Sequence, residues 1–402
     1  MKIEDKREIV FDTTERKDKM ASNYMDENEF EYEKPRKKSS QGKKKTAANG
    51  NKKLSKKARE KKKRRRIILF LVEVIILVVM LVVLWGVTKT EKVGKLDIPE
   101  DEIIVNEGVE DIEVMKGYWN IALFGVDSTT GALTKNTRSD TIMIASINLD
   151  TKEIKLISVY RDTFLNLGDD VYNKCTTAYA KGGPKQAMNM LNQNLDLHIT
   201  DFVTIGFEGL IDVIDSLGGV TIPVTDAEIE HLNNYQKCIA EDLKRVYTPV
   251  ESSGTQLLDG LQATGYCRIR YTKGDDFKRA ERQRTVLKEV MKQAQGASVS
   301  QLTDIANGVF DKVYTSFDIS EIIELLGDVS EYKIVADGGF PEESIRSTGN
   351  IGSKGSCVIP ENLSDNVTWL HEYLFEESGY IPSKEVQEYS AHIEEETGQY
   401  LH

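Results

Sequence analysis

Residues 118–162 read YWNIALFGVDSTTGALTKNTRSDTIMIASINLDTKEIKLISVYRD, and three apolar runs lie inside them, at 119–126, 141–147 and 154–159. Each is rich in β-branched and aromatic residues and bounded by charged or turn-forming ones, the pattern of strands. They predict three neighbouring strands that open a sheet. Helical spacing follows: Gly182 and Gly183 introduce residues 184–195, and Phe207, Leu210, Ile211, Ile214 and Leu217 recur at intervals of three and four. Strands are expected at 201–205 and 220–224. A polar stretch then runs to about residue 255, before a short helix at 256–264, a strand at 266–271 and a long helix at about 277–295. Two more helices, a strand near 332–336 and a last strand and helix complete the domain. This alternation predicts an α/β fold, a layered α-β-α sandwich with a central mixed sheet.

The globular composition extends from 117 to 375, enough for one sizeable core. Upstream, residues 67–87 read IILFLVEVIILVVMLVVLWGV with a single charge, Glu73. That length matches the roughly 20 apolar residues that cross a bilayer. The run starts too late, and lacks the small-residue cleavage site, for a removed signal peptide, so one transmembrane helix is expected over 67–88. An unbroken basic block, Lys61 to Arg66, precedes it and is expected to keep the N-terminus in the cytoplasm, with the domain on the outer face of the membrane. Residues 1–66 hold 24 Lys and Arg against 12 Asp and Glu, a charge of +12 that the overall −12 conceals. This tail is expected to be disordered and to touch anionic membrane lipid. It has no helix-turn-helix pattern, and nucleic acid is not an expected partner. Residues 89–116 read as an extracytoplasmic linker, and 376–402, with Glu394, Glu395 and Glu396, as an exposed acidic tail.

Four cysteines, Cys175, Cys238, Cys267 and Cys357, show no metal-ligand spacing, which argues against zinc. Disulfides and free thiols both stay open, with Cys175 and Cys238 in loop-like or edge-like surroundings.

Charge gathers at the ends of the predicted strands. Asp127 closes the first, Arg138 and Asp140 precede the second, and Arg161 with Asp162 ends the third. These positions can meet at one edge of the sheet, where strand ends give a ligand rigid support; surface salt bridges are the plain alternative. In Tyr266-Cys-Arg-Ile-Arg-Tyr271, Arg268 and Arg270 alternate and so share one face of a strand. Two adjacent guanidiniums repel unless an anion lies between them. Arg279 and Arg282 sit three apart on the next helix, with Gln283 and Arg284 adjoining, in an otherwise acidic region. The planar arginine fork suits phosphate oxygens. Asp127 and Asp140 then suit Mg²⁺, or Mn²⁺ in its place, bound jointly with phosphate. Phosphoryl transfer needs chiefly positioning and charge neutralisation, so it requires neither His nor Cys. No Walker-type sequence is present, which counts against a nucleotide donor.

Taken in order, N-I-A-L-F-G-V-D, R-S-D-T-I-M, I-S-V-Y-R-D-T, A-Y-A-K-G-G-P, D-F-V-T-I-G-F-E-G-L-I-D-V-I-D-S-L-G-G-V, Y-C-R-I-R and D-F-K-R-A-E-R-Q-R resemble the LytR-CpsA-Psr family over about residues 118–290. The basic tail and single span match its usual layout. The resemblance implies a transferase that moves a phosphorylated glycopolymer from a polyprenyl diphosphate carrier to peptidoglycan, through a phosphodiester. By motif match, Asp127 and Asp140 would hold Mg²⁺, and Arg138, Arg161, Arg268, Arg270, Arg279 and Arg282 would grip the diphosphate. Gln283 would stand beside them, and Asp162 would orient Arg161 or act as base. The family's lipid tunnel implies Leu191, Phe207, Leu210, Ile211 and Ile214 as lipid-binding, although such spacing also marks ordinary core.

Departures from the family pattern are Ser128-Thr129, where Ser-Arg is frequent, and Tyr160, where Pro often precedes the arginine. Residues 233–250, with Cys238, read as an unusual loop able to act as a lid. Two other functions compete: a polyprenyl diphosphate hydrolase at the same site, and a non-catalytic regulator that binds the lipid carrier.

Overall fold

The computed structural model describes residues 94–128, 133–134, 136–270 and 274–400. The expected basic tail at 1–66, the span at 67–88 and linker residues 89–93 lie outside them. Among the described residues no helix is long and apolar enough to cross a membrane.

Strand β1 (Gly94–Lys95) is followed, after three short 3₁₀ turns, by β2 (Tyr118–Val126), β3 (Ser139–Asn148) and β4 (Glu153–Val159). These last three are antiparallel neighbours, as the sequence predicts. A small ribbon, β5 (Phe164–Asn166) and β6 (Tyr172–Lys174), leads into α1 (Thr176–Leu195), β7 (Ile199–Ile205), α2 (Phe207–Ser216) and β8 (Val220–Val224). Then come α3 (Asp226–Leu243), β9 (Gly254–Leu258), α4 (Gly260–Cys267), α5 (Asp275–Gly296) and α6 (Val299–Val309). The chain ends through β10 (Val313–Thr315), α7 (Ile319–Gly327), β11 (Lys333–Phe340), β12 (Arg346–Asn350), β13 (Ser356–Pro360), α8 (Leu363–Phe375) and α9 (Lys384–Thr397).

The central sheet has seven strands in the order β1-β10-β7-β2-β3-β4-β11. It is mixed: β1 with β10, β7 with β2, and β4 with β11 are parallel, and the other pairs antiparallel. Alternation along its strands covers both faces. Ala122, Phe124, Ile142, Ile144 and Ile157 pack with Leu191, Leu195, Val367 and Leu370 of α1 and α8. Ile121, Ala145, Ile147 and Leu156 pack on the opposite side with Leu287, Met291 and Ile322 of α5 and α7. The expected α/β sandwich with a mixed central sheet is the observed one.

Four expectations are corrected. The polar lid at 233–250 is for the most part helix α3, opened by a reciprocal capping box between Thr225 and Glu228. Its buried positions are Glu228, Leu232, Gln236, Ile239 and Ala240, and the polar Glu228 and Gln236 in that stripe hide the helical period. Of the strand expected at 266–271, Tyr266 and Cys267 form the end of α4, whose start is capped by Asp259 and Gln262; residues 268–270 belong to no strand or helix, and Tyr271 lies outside the described residues. This helix is buried almost all round, so it shows no polar face from which a period can be read. A Cβ on its Gly265 would stand 3.0 Å from the backbone nitrogen of Gln236, a close approach that only glycine permits without adjustment. The acidic C-terminal tail is also wrong, because α9 sets Val386 and Ile393 into the core under α1 and α8. Their spacing is helical, and the glutamates occupy the other face. Finally, the linker joins the domain from residue 94 onward: β1 pairs with β10, and Val109 and Met115 enter the main core.

Candidate active site

Because β2, β3 and β4 run antiparallel, the end of β2, the start of β3 and the end of β4 fall at one edge of the sheet. Asp127, Asp140 and Arg161 meet there, and all line a cavity of about 270 Å³. Arg161 Nη1 donates to Asp140 Oδ1 at 2.8 Å. Burial opposes the charged form of Arg161, but Asp140, Asp162 and Asp276 outweigh it and raise the guanidinium above its ordinary value.

The opposite wall comes from the segment after α4 and the first turns of α5. Arg268, Arg270, Arg279 and Gln283 line the same cavity, as does Arg138. Arg268 and Arg270 therefore do face one site, but from the exit of a helix rather than from a strand. Arg268 Nη2 lies 3.7 Å from Asp127 Oδ2, and its guanidinium lies over the ring of Phe207 at 4.7 Å and over that of Tyr235 at 5.3 Å. Such ring faces attract a cation and fix its plane.

Asp276, at the start of α5, ties the arginines together. Its carboxylate stands 2.7 Å from Arg279 Nη1, 3.4 Å from Arg270 Nε and 3.9 Å from Arg161 Nη2. Sequence reasoning gave it no role, although it opens the D-F-K-R-A-E-R-Q-R run. Tyr235 was missed because α3 was not recognised. Arg279 is 5 % exposed, and its Nε is buried without a hydrogen-bond partner among the described residues. Burial, then Arg161, push its guanidinium below the ordinary value. A buried donor of this kind is costly unless an acceptor meets it, and an anion in the cavity would supply one.

Several predicted residues lie elsewhere. Arg282 is 2 % exposed and does not line the cavity; its Nε donates to Glu228 Oε1 at 2.7 Å and its Nη1 to the Ile269 carbonyl at 3.1 Å. Three residues along a helix rotate a side chain by about 60° the other way, whereas four rotate it by about 40°, so Gln283 rather than Arg282 stays with Arg279. Asp162 sits behind the site, 3.6 Å from Arg161 Nε and 3.1 Å from Lys174 Nζ. It does not line the larger cavity, but it borders a small adjoining one with Asp140, Arg161, Asp276, Arg279 and Gln283. Of the lipid candidates, Phe207 and Leu210 form an apolar wall with Tyr235. Leu191, Ile211 and Ile214 are fully buried core.

Asp127 and Asp140 share the cavity with room for phosphate oxygens and water, a donor set suited to Mg²⁺. Among the described residues no three His, Cys, Asp or Glu side chains are grouped to hold a metal by themselves. A metal here would draw part of its shell from substrate. All four cysteines are free; Cys175, Cys267 and Cys357 are buried, and Cys238 is exposed on α3 rather than in a loop.

The cavity at the edge of the α/β sandwich is thus lined by arginines, with two carboxylates on one side and an apolar wall on the other. The protein belongs to the LytR_cpsA_psr family, whose family model matches residues 87–358. Biofilm regulatory protein A of Streptococcus mutans is 28% identical over 289 residues, covering 63% of this chain and 68% of the relative. The polyisoprenyl-teichoic acid–peptidoglycan teichoic acid transferase TagV of Bacillus subtilis is 28% identical over 221 residues. That match covers 54% of this chain and 54% of the relative, so the chain spans about half of TagV's length in sequence. The crystal structure of B. subtilis TagV aligns at 25% identity with a TM-score of 0.51, covering 66% of this chain and 99% of that one.

Proposed function

We propose that the protein transfers a phosphorylated glycopolymer from a polyprenyl diphosphate carrier to peptidoglycan. The observation that carries this reading is the joining, in one cavity, of Arg138, Arg161, Arg268, Arg270 and Arg279 with Asp127 and Asp140 and the apolar wall of Phe207, Leu210 and Tyr235. Arginines neutralise a diphosphate and hold it in line, and the wall receives the first carbons of the prenyl chain. An acceptor hydroxyl oxygen attacks the phosphorus that bears the sugar. The bond from that phosphorus to the bridging oxygen breaks, polyprenyl monophosphate leaves, and the hydroxyl proton passes to a carboxylate of the edge. Arg279, with its buried Nε, is placed to stabilise charge that builds on the transferred group.

Asp127 and Asp140 would hold Mg²⁺, which supplies Lewis-acid neutralisation of the diphosphate when bound. Residues 67–88 would anchor the chain in the bacterial cell membrane, with the basic tail inside against anionic lipid and the domain outside.

The test is to incubate the full chain in detergent with a synthetic polyprenyl diphosphate saccharide and Mg²⁺, with and without a peptidoglycan oligomer, and to follow products by mass spectrometry. Sugar joined to the oligomer through phosphate, with lipid monophosphate released, is the expected result. Asp140→Ala should lower turnover by at least about 100-fold while carrier binding persists. Sugar phosphate released only to water would replace the transferase by a hydrolase. Binding without turnover would replace it by a carrier-binding regulator.

A further inference from the structure

The segment 267–270, which presents two of the site arginines, belongs to no strand or helix beyond Cys267. It is nevertheless held at alternate backbone positions from α5. Gln283 Nε2 donates to the Cys267 carbonyl at 3.4 Å, and Arg282 Nη1 donates to the Ile269 carbonyl at 3.1 Å. The Ile269 side chain is fully buried among Val220, Ile222 and Val286. With that residue anchored inward and its carbonyl gripped, Arg268 and Arg270 on either side of it are left facing the cavity.

Arg282 is itself paired with a carboxylate. Glu228, in the first turn of α3 and 4 % exposed, receives Arg282 Nε at 2.7 Å. Its second oxygen accepts from the Thr225 backbone nitrogen at 2.9 Å and from the Thr225 hydroxyl at 2.8 Å. One carboxylate thus caps α3 and orients the guanidinium that grips the arginine-bearing segment. The ring of Tyr266 lies 5.8 Å from the same guanidinium.

We propose that Glu228 and Arg282 form a buried positioning pair for the diphosphate site: Glu228 fixes Arg282, and Arg282 fixes the 267–270 segment so that Arg268 and Arg270 converge on the ligand. This rests on the diphosphate reading given above. Neither residue lines the cavity. A buried ion pair is weak evidence for stability, since well-packed apolar replacements are often neutral, so a positional role is the more informative account of why charges are kept here. Displacement of a binding group by about 1 Å costs up to about 100-fold in function, the scale on which such a clamp matters.

The test titrates geranylgeranyl diphosphate with Mg²⁺ into the full chain in detergent by calorimetry, reading affinity and stoichiometry separately. Wild type, Glu228→Ala, Glu228→Gln and the double variant Glu228→Leu with Arg282→Met are compared. The double variant leaves no unpaired buried charge and is expected to fold. Positioning predicts a Kd about tenfold or more higher for Glu228→Ala and for the double variant, at unchanged stoichiometry, with partial recovery in Glu228→Gln, which still accepts from Arg282. A purely structural pair would instead lower the stoichiometry, as less protein folds, and leave the Kd of the remainder unchanged; that result overturns the proposal. Wild-type Kd in the folded double variant overturns it as well. If wild type itself does not bind while Glu228→Ala matches its melting curve, the diphosphate reading fails first and takes this inference with it.

Discussion

A Cβ added to Gly339 would lie 2.0 Å from the Tyr160 hydroxyl oxygen and 2.4 Å from the carbon that bears it. The ring cannot simply swing aside. Phe277 meets it edge-on at 4.7 Å, Arg346 lies over its face at 5.0 Å, and Arg346 Nη1 donates to the hydroxyl at 3.2 Å. Tyr160 stands where the family often has proline, immediately before Arg161, and the space at Gly339 admits it. Gly339→Ala should therefore cost about 1–3 kcal/mol of stability, the usual penalty for overpacking, and should lower turnover by displacing Arg161. Adding Tyr160→Phe removes the clashing oxygen and should return part of the loss. Thermal melts and turnover of the single and double variants check both statements.

At the scale of elements, α9 carries Val386 and Ile393, both 0 % exposed, into the core it shares with α8 and α1. It also borders the ribbon behind Arg161: His392 stacks on Tyr172 at 3.9 Å, two residues before the Lys174 that pairs with Asp162. Ile393→Ala is expected to lose about 2–5 kcal/mol in equilibrium urea unfolding, and a chain ending at Phe375 should melt lower still. The sequence made this helix look like a tail because its glutamates dominate the composition while its apolar stripe is narrow. The strands β2, β3 and β4 were legible for the opposite reason, being apolar on both faces and bounded by charge. Site residues at their ends, Asp127, Asp140 and Arg161, were legible with them. Arg268 and Arg270 were recognised by chemistry but set on the wrong element, since a helix buried all round has no period to read. Asp276 escaped because one acidic residue among arginines carries no geometry until the chain folds. Arg282 was misplaced because three-residue spacing was read as sharing a face, when the packing of α5 against α4 and β8 lets its two flanks do different work.

Across the whole molecule, buried titratable groups set the response to pH. His371 of α8 is fully buried, its Nε2 3.1 Å from the Leu195 carbonyl and its ring stacked on Tyr380 at 3.6 Å. Burial pushes its pKa down to about 4 from 6.5. Between those values the unfolded chain binds a proton that the folded chain does not. Stability therefore rises with pH across that window and falls on acidification, by on the order of 3 kcal/mol from pH 6.5 to 4. His371→Asn should flatten this stretch of a stability-versus-pH curve measured in urea. Asp337 behaves in the more acidic range: burial opposes its charge, but Lys288 and Arg284 hold it below the ordinary carboxylate value. Its contribution is present above that ordinary value and is lost as pH falls through the lowered one. The pairing of Asp140 with Arg161 and of Asp127 with Arg268 has a consequence of another kind. The edge of the sheet is an ion exchanger already in its salt form. On the function proposed above, magnesium diphosphate would enter by double displacement, each incoming charge trading for an internal counterion, whereas phosphate arriving alone would strand the aspartates and magnesium alone would strand the arginines. Selection of the complete salt, and a shallow dependence of its capture on ionic strength, would follow from counterions that the protein supplies to itself.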